Sequence, residues 1–177
     1  MVLSDSDLLR TPKNLMQPDP RNKYISKYET VSGLTQEFTV EDFYGLVKDL
    51  SLNDSVPLDI RTQFETCKNL LLYSWFVYRF GTLAQLHAYS TLEYALKEKI
   101  KQAGMKVETS LSRLLDKAIQ QGWLPQLTQE RTKIIAIAIP KLRNELAHGS
   151  STLLSPKDNQ LFVQECANLI NQLFPKN

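Results

Sequence analysis

Arg143-Asn144-Glu145-Leu146-Ala147-His148-Gly149 sets a guanidinium, an amide and an imidazole close together along one helix end. Asn144 and His148 are four apart, so on a helix they are surface neighbours. The amide can then hydrogen-bond one ring nitrogen and fix the tautomer of His148. Arg143 lies on the adjacent strip. His148 falls in the last turn, ahead of Gly149, where the negative end of the helix favours a protonated ring. These are the parts for cutting RNA without a metal. A group that titrates near neutrality moves the proton of a ribose 2′-hydroxyl or of the leaving oxygen. A permanent cation with a planar fork holds the phosphate as charge builds on it. The same residues also suit a purely structural role: a His before Gly commonly finishes a helix, and Arg143 can pair with Glu93 or Glu98.

The elements that must carry these residues read as helices. Thr39 with Asp42 resembles a capping box, and Val40, Phe43, Tyr44 and Val47 share one face. Pro57 suits a helix start. From Leu58 to about Gly104 apolar residues recur at three and four: Phe64, Cys67, Leu71, Trp75, Tyr78, then Leu86, Tyr89, Leu96, Ile100. Gly81 marks a bend or break, and the pattern alone does not decide between one helix and two. Thr109 can cap a further helix that Gly122 stops in a left-handed conformation. Thr128 opens the helix that bears the motif, with a kink at Pro140, whose ring clashes with the preceding turn. Ser155-Pro156-Lys157-Asp158 is the strongest helix start, and Phe162, Cys166, Leu169 and Leu173 form the last stripe. No convincing strand is found; Ile134–Ile139 is β-branched, but the spacing around it favours helix. The expectation is an all-α, antiparallel bundle of five or six helices over residues 36–177, after a poorly ordered N-terminal arm, 1–35, broken by Pro12, Pro18 and Pro20.

Glu93 and Tyr89 are supporting candidates. A carboxylate on an apolar stripe needs a partner; Glu93 can pair with Arg143, orient His148, or pair with Lys97 four residues on. Tyr89, one turn earlier, can line the same groove or pack in the core. His87 has no visible partner and reads as a packed or half-exposed helix residue. Lys97, Lys99, Lys101, Lys106, Arg131, Lys133 and Lys141 either surround a cleft or form solvated helix surface. Cys67 and Cys166 sit in apolar patterns and read as small core residues rather than redox or metal groups.

With 177 residues the chain fits one domain with an arm, and its core needs no metal or disulfide staple. The net charge of +2 is too small to bind nucleic acid without a local basic patch. No P-loop, Gly-rich dinucleotide fingerprint or two-histidine metal motif is found, which argues against an ATPase, a dehydrogenase or a zinc hydrolase. No cofactor and no metal is expected. Residues 1–10 have no apolar core, so no secretory signal is expected, and no stretch reaches the roughly 20 apolar residues of a membrane span. A cytoplasmic protein without a membrane partner is the expectation.

The Arg143-Asn144-x-x-x-His148 pattern resembles the signature of the HEPN family: an arginine, a polar residue and, four to six residues on, a histidine. Its place before a final amphipathic helix fits, and Ala88–Lys97 resembles the long second helix of that family, with its Leu92-Glu93-Tyr94-Ala95-Leu96 run. The resemblance covers about residues 57–174. It implies a homodimeric helical bundle in which two copies of the motif face a shared cleft. It further implies a metal-independent endoribonuclease acting in toxin–antitoxin systems or in antiviral or stress defence. Arg143 would bind the scissile phosphate, His148 would act as acid or base, and Asn144 would orient them. RNA, a second copy and a cognate antitoxin protein would be the partners. The alternative within the same family is a catalytically inactive binding or assembly module.

Overall fold

The computed structural model describes residues 7–29, 33–125 and 153–176. The described residues form five α-helices: α1 (Val40–Lys48), α2 (Leu58–Tyr73), α3 (Phe80–Gln102), α4 (Leu111–Gln120) and α5 (Pro156–Leu173). No helix among them is long and apolar enough to cross a membrane.

The helix ends follow local chemistry. Thr39 Oγ1 accepts from the Asp42 N–H at 3.3 Å, while the Asp42 carboxylate accepts from the Thr39 N–H at 3.0 Å, closing the expected capping box. α2 begins directly after Pro57. Ser155 caps α5 by accepting from the Asp158 N–H, with Pro156 in the first turn. At α4 the cap is Ser110, one residue beyond the expected Thr109. Gly122 stands just past α4 at φ +69°, in the expected left-handed stop.

α3 is the axis of the fold, touching α2, α4 and α5. Its contacts set the helix directions. Against α2, Cys67 meets Ala84, Gln63 meets His87 and Asp59 meets Tyr94; one number falls as the other rises, so the two helices are antiparallel. Against α5, Gln85 meets Asn159, Tyr89 meets Phe162 and Lys99 meets Phe174, so α5 runs parallel to α3. The antiparallel expectation therefore holds for α2 and α3 and not for α3 and α5, which are joined by a long connection. Ile60, Phe64, Cys67 and Leu71 of α2 are buried at spacings of four and three, as are Val163, Cys166, Ile170 and Leu173 of α5. Each buried aliphatic side chain contributes about 1.5–3 kcal/mol. Around α3 burial is broader, since three neighbours cover Ala84, Ala88, Leu92, Ala95, Leu96 and Ile100.

Residues 74–79 turn the chain between α2 and α3, so the helical spacing through Trp75 and Tyr78 does not continue as helix there. Neither Pro nor Gly makes this corner. Ser74 Oγ turns back onto the Leu71 carbonyl at 2.6 Å, and the Trp75 and Phe76 N–H groups reach back three residues, in tighter turns than an α-helix. Gly81, expected to mark the break, lies just inside α3, where it gives way to Asn159 of α5.

A short hairpin was not expected from the sequence. β1 (Ser26–Glu29) pairs antiparallel with β2 (Leu34–Glu37), Lys27 opposite Gln36. Its residues lack the apolar–polar alternation of a half-buried strand, and β2 is exposed throughout. The hairpin is tied to α1 by Lys27 Nζ, 2.7 Å from Asp42, and is followed by Phe38, which packs on Phe43 and Trp75. The expected domain boundary between residues 35 and 36 falls inside β2.

Within the expected arm a 3-10 turn, Pro20–Tyr24, starts at Asp19. This part of the arm is nonetheless anchored. Asp19 and Asn22 are buried and reach the α2–α3 corner.

Candidate functional site

Arg143, Asn144 and His148 lie outside the described residues, as do the Ile134–Ile139 stretch, Pro140, Gly149, Arg131, Lys133 and Lys141. The described residues place the two supporting candidates, both on α3.

Glu93 keeps 18% of its side chain exposed, and its Oε1 lies 2.6 Å from Lys97 Nζ. The expected pair one turn apart is thus present at the margin of the buried stripe. Next to it, the Tyr94 hydroxyl donates to the Asp59 carboxylate, which pins the start of α2 to the outer face of α3. That bond pushes the Tyr94 phenol up to about 12 and lowers Asp59 below the usual carboxylate range.

Tyr89 does not line a groove. It is 1% exposed, and its ring stands edge-on to Phe162 of α5, with centroids 5.3 Å apart. The reason is rotational: position 89 falls on the α3 face that α5 covers. Its hydroxyl finds no partner among the described residues, and burial pushes the phenol far above its ordinary range. Of the two roles expected for Tyr89, the structure shows core packing.

His87 Nε2 lies 3.0 Å from the Gln63 carbonyl of α2. A carbonyl only accepts, so Nε2 carries the proton and the ring serves the α2–α3 contact. Cys67 and Cys166 are buried and unbridged. The Cys67 thiol donates to the Ala84 carbonyl at 3.1 Å, and burial pushes it up to about 12. Burial raises Cys166 as well. Neither thiol is placed or poised for nucleophilic work.

Of the lysines expected around a cleft, Lys97, Lys99 and Lys101 have partners among the described residues. Lys97 faces Glu93, Lys101 lies 2.6 Å from Glu98, and Lys99 stands over the rings of Trp123 and Phe174 at 5.7 and 5.3 Å. A hollow of about 510 Å³ beside α4 is lined by Glu108, Arg113, Asp116, Lys117 and Gln120, two carboxylates among two cations. Neither arrangement is a uniform basic track. The buried polar anchor at Asp19 and Asn22 is not expected from the sequence; an Asp directly ahead of a Pro, the sign of a helical turn, is the signal that marks it.

Comparison with protein-family models, curated proteins and solved structures produced no match to this chain. Chemically, the described residues amount to a rigid helical support. At its margin α3 presents two carboxylates, Glu93 and Glu98, each engaged by a lysine.

Proposed function

We propose that the protein is a metal-independent endoribonuclease of HEPN type, acting at a cleft between two copies of the chain. Arg143 holds the scissile phosphate, His148 transfers the proton and Asn144 orients both. The observation that carries this reading is the Arg143-Asn144-x-x-x-His148 spacing just ahead of a final amphipathic helix, α5. A mostly helical set of described elements, with α3 as a 23-residue axis bearing the Leu92–Leu96 run, is consistent with it. Glu93 serves the cleft from the margin of α3. Tyr89 has no part in the site. The biological setting that goes with this reading is a toxin or a defence effector, held in check by a cognate antitoxin protein.

The test is direct. Purified protein is incubated with structured and unstructured RNA in EDTA beside His148→Ala and Arg143→Ala. Cleavage that persists in EDTA and is lost in both variants establishes the reading. No cleavage of any RNA, with a stable dimer in solution, points instead to a catalytically silent binding or assembly module of the same architecture.

A further inference from the structure

The corner between α2 and α3 is closed by a distant part of the chain. In a continuous helix the carbonyls of Ser74, Trp75 and Phe76 would accept from the N–H groups of Tyr78, Arg79 and Phe80. Here each is met from the N-terminal segment. Asn22 Nδ2 donates to the Ser74 carbonyl at 3.2 Å and to the Trp75 carbonyl at 2.8 Å. The Asp19 N–H donates to the Trp75 carbonyl at 2.9 Å, and the Arg10 guanidinium donates to the Phe76 carbonyl. The Tyr78 N–H, which would have closed onto Ser74, instead donates to the Asp19 carboxylate at 3.2 Å. Asp19 is fully buried and is itself gripped by Arg21 Nε and Nη2 at 2.8 and 2.9 Å. Asp7 links Arg21 to Arg79 at the rim.

Neither Pro nor Gly forces the turn at residues 74–79, whose local closures are the Ser74 Oγ–Leu71 contact and the three-residue turns at Trp75 and Phe76. The flanks Ser74 and Arg79 sit at φ −65° and −64°, in the right-handed region, and the apolar spacing of α2 runs on through Trp75 and Tyr78. The apolar spacing is helical, and the corner is held by local turns together with the N-terminal contacts.

We propose that residues 10–22 are a releasable clasp, and that opening it lets α2 and α3 join into one straight helix. α2 must then pack on the α3 of a second copy of this chain. Straightening satisfies the freed corner groups by helical hydrogen bonds, but it pulls α2 off its own α3. The buried faces of both helices can then be covered only by exchange between two chains, the usual logic of a domain swap. The proposal is independent of the nuclease reading, since it concerns only the α2–α3 contact and not a side-by-side dimer.

Asp19→Ala/Asn22→Ala removes the clasp's buried partners in the full chain. Arg79→Pro added to it forbids the straight helix. Proline matches the φ of −64° at this position, and no hydrogen bond from the Arg79 N–H is found among the described residues, but a straight helix would need that N–H. Isotopically light and heavy chains are refolded together, cross-linked and read by mass spectrometry for α2–α3 links between unlike chains. We expect such links to rise at least about tenfold in the double variant and to return to the wild-type level in the triple variant, as loss of buried hydrogen-bond partners predicts. A double variant that stays folded without inter-chain α2–α3 links overturns the proposal. So does one that loses its helix content by circular dichroism, because the segment is then a structural support. Links that persist in the triple variant overturn it as well, since exchange would not need a straight helix.

Discussion

A β-carbon on Gly81 would lie 2.3 Å from Asn159 Nδ2 and 2.9 Å from Asn159 Cγ, so α3 and α5 meet at a glycine and an amide. The amide cannot swing aside freely. Its Oδ1 accepts from Gln85 Nε2 at 2.6 Å, its Nδ2 donates to the Leu154 carbonyl at 3.3 Å, and both Gln85 and Asn159 are buried. Gly81→Ala gains about 1 kcal/mol of helix propensity but forces this pair apart, which costs about 1–3 kcal/mol as overpacking. We expect a net loss of stability on urea denaturation. In Gly81→Ala/Asn159→Ala the clash disappears, so the double variant should lose less than the sum of the singles. An additive result would mean that the contact does not constrain the seam.

Tyr89 sets up the opposite expectation further along the same seam. Its hydroxyl is buried beside Phe162 without a partner among the described residues, so removing it frees a desolvated polar group at no loss of bonding. Tyr89→Phe should be as stable as the wild type or more so, by up to about 1 kcal/mol in denaturant titration. RNA cleavage should be unchanged. A variant destabilised by more than that would reveal a partner for the hydroxyl.

The sequence foretold what local chemistry decides and missed what distant contacts decide. The Thr39–Asp42 box, the Ser155 cap and the Gly122 stop are readable because cap and partner lie within three residues of each other. The buried stripes of α2 and α5 are readable because the helical period is local. The corner at residues 74–79 was not, since groups that bond its open backbone, Asp19 and Asn22, lie more than fifty positions away. The hairpin escaped for a related reason: Lys27 and Phe38 hold it against α1 and Trp75, not an alternating pattern of its own. At the candidate site, spacing located Glu93 and its Lys97 partner, while the choice between groove and core for Tyr89 needed the position of α5. The motif itself, Arg143 to His148, lies outside the described residues.

The two thiols make a simple chemical probe of the core. Cys67 and Cys166 are buried, and burial disfavours both thiolates, pushing Cys67 up to about 12. The thiolate is the reactive form. Native protein at pH 8 should therefore show no rapid reaction with a thiol reagent such as DTNB, and two equivalents should react once guanidinium unfolds the chain. One equivalent reacting promptly in the native state would show that one seam of the bundle opens to solvent.

Glu93 and Lys97 separate support of the fold from service to the cleft. A partly exposed pair one turn apart contributes only about 0.3–0.5 kcal/mol, so Lys97→Met should leave stability within about 0.5 kcal/mol of the wild type. If Glu93 acts on the cleft, Glu93→Gln lowers RNA cleavage at least about tenfold, the scale of one supporting hydrogen-bonded charge, while Lys97→Met does not. Equal small effects of the two substitutions on cleavage would confine Glu93 to its surface pair.

Acid should loosen the N-terminal anchor before it loosens the bundle. Burial alone would push the Asp19 carboxyl up, but the Arg21 guanidinium, the Arg21 N–H and the Tyr78 N–H outweigh it and hold the group below the usual carboxylate range. Arg10 adds a further cation at 3.7 Å. A carboxylate favoured by folding contributes stability that is fully present above the unfolded value of about 3.9 and is lost as pH falls through the lower folded value. Protection of the amides at residues 19–22 and 74–78, measured against their intrinsic exchange at each pH, should therefore fall below about pH 4 while the amides of α5 remain protected. Asp19→Asn removes the titrating group, so in that variant exchange at the corner should already be faster at neutral pH and should lose its own acid step. Corner exchange that tracks α5 at every pH, in both proteins, would show that the corner opens only with the whole fold.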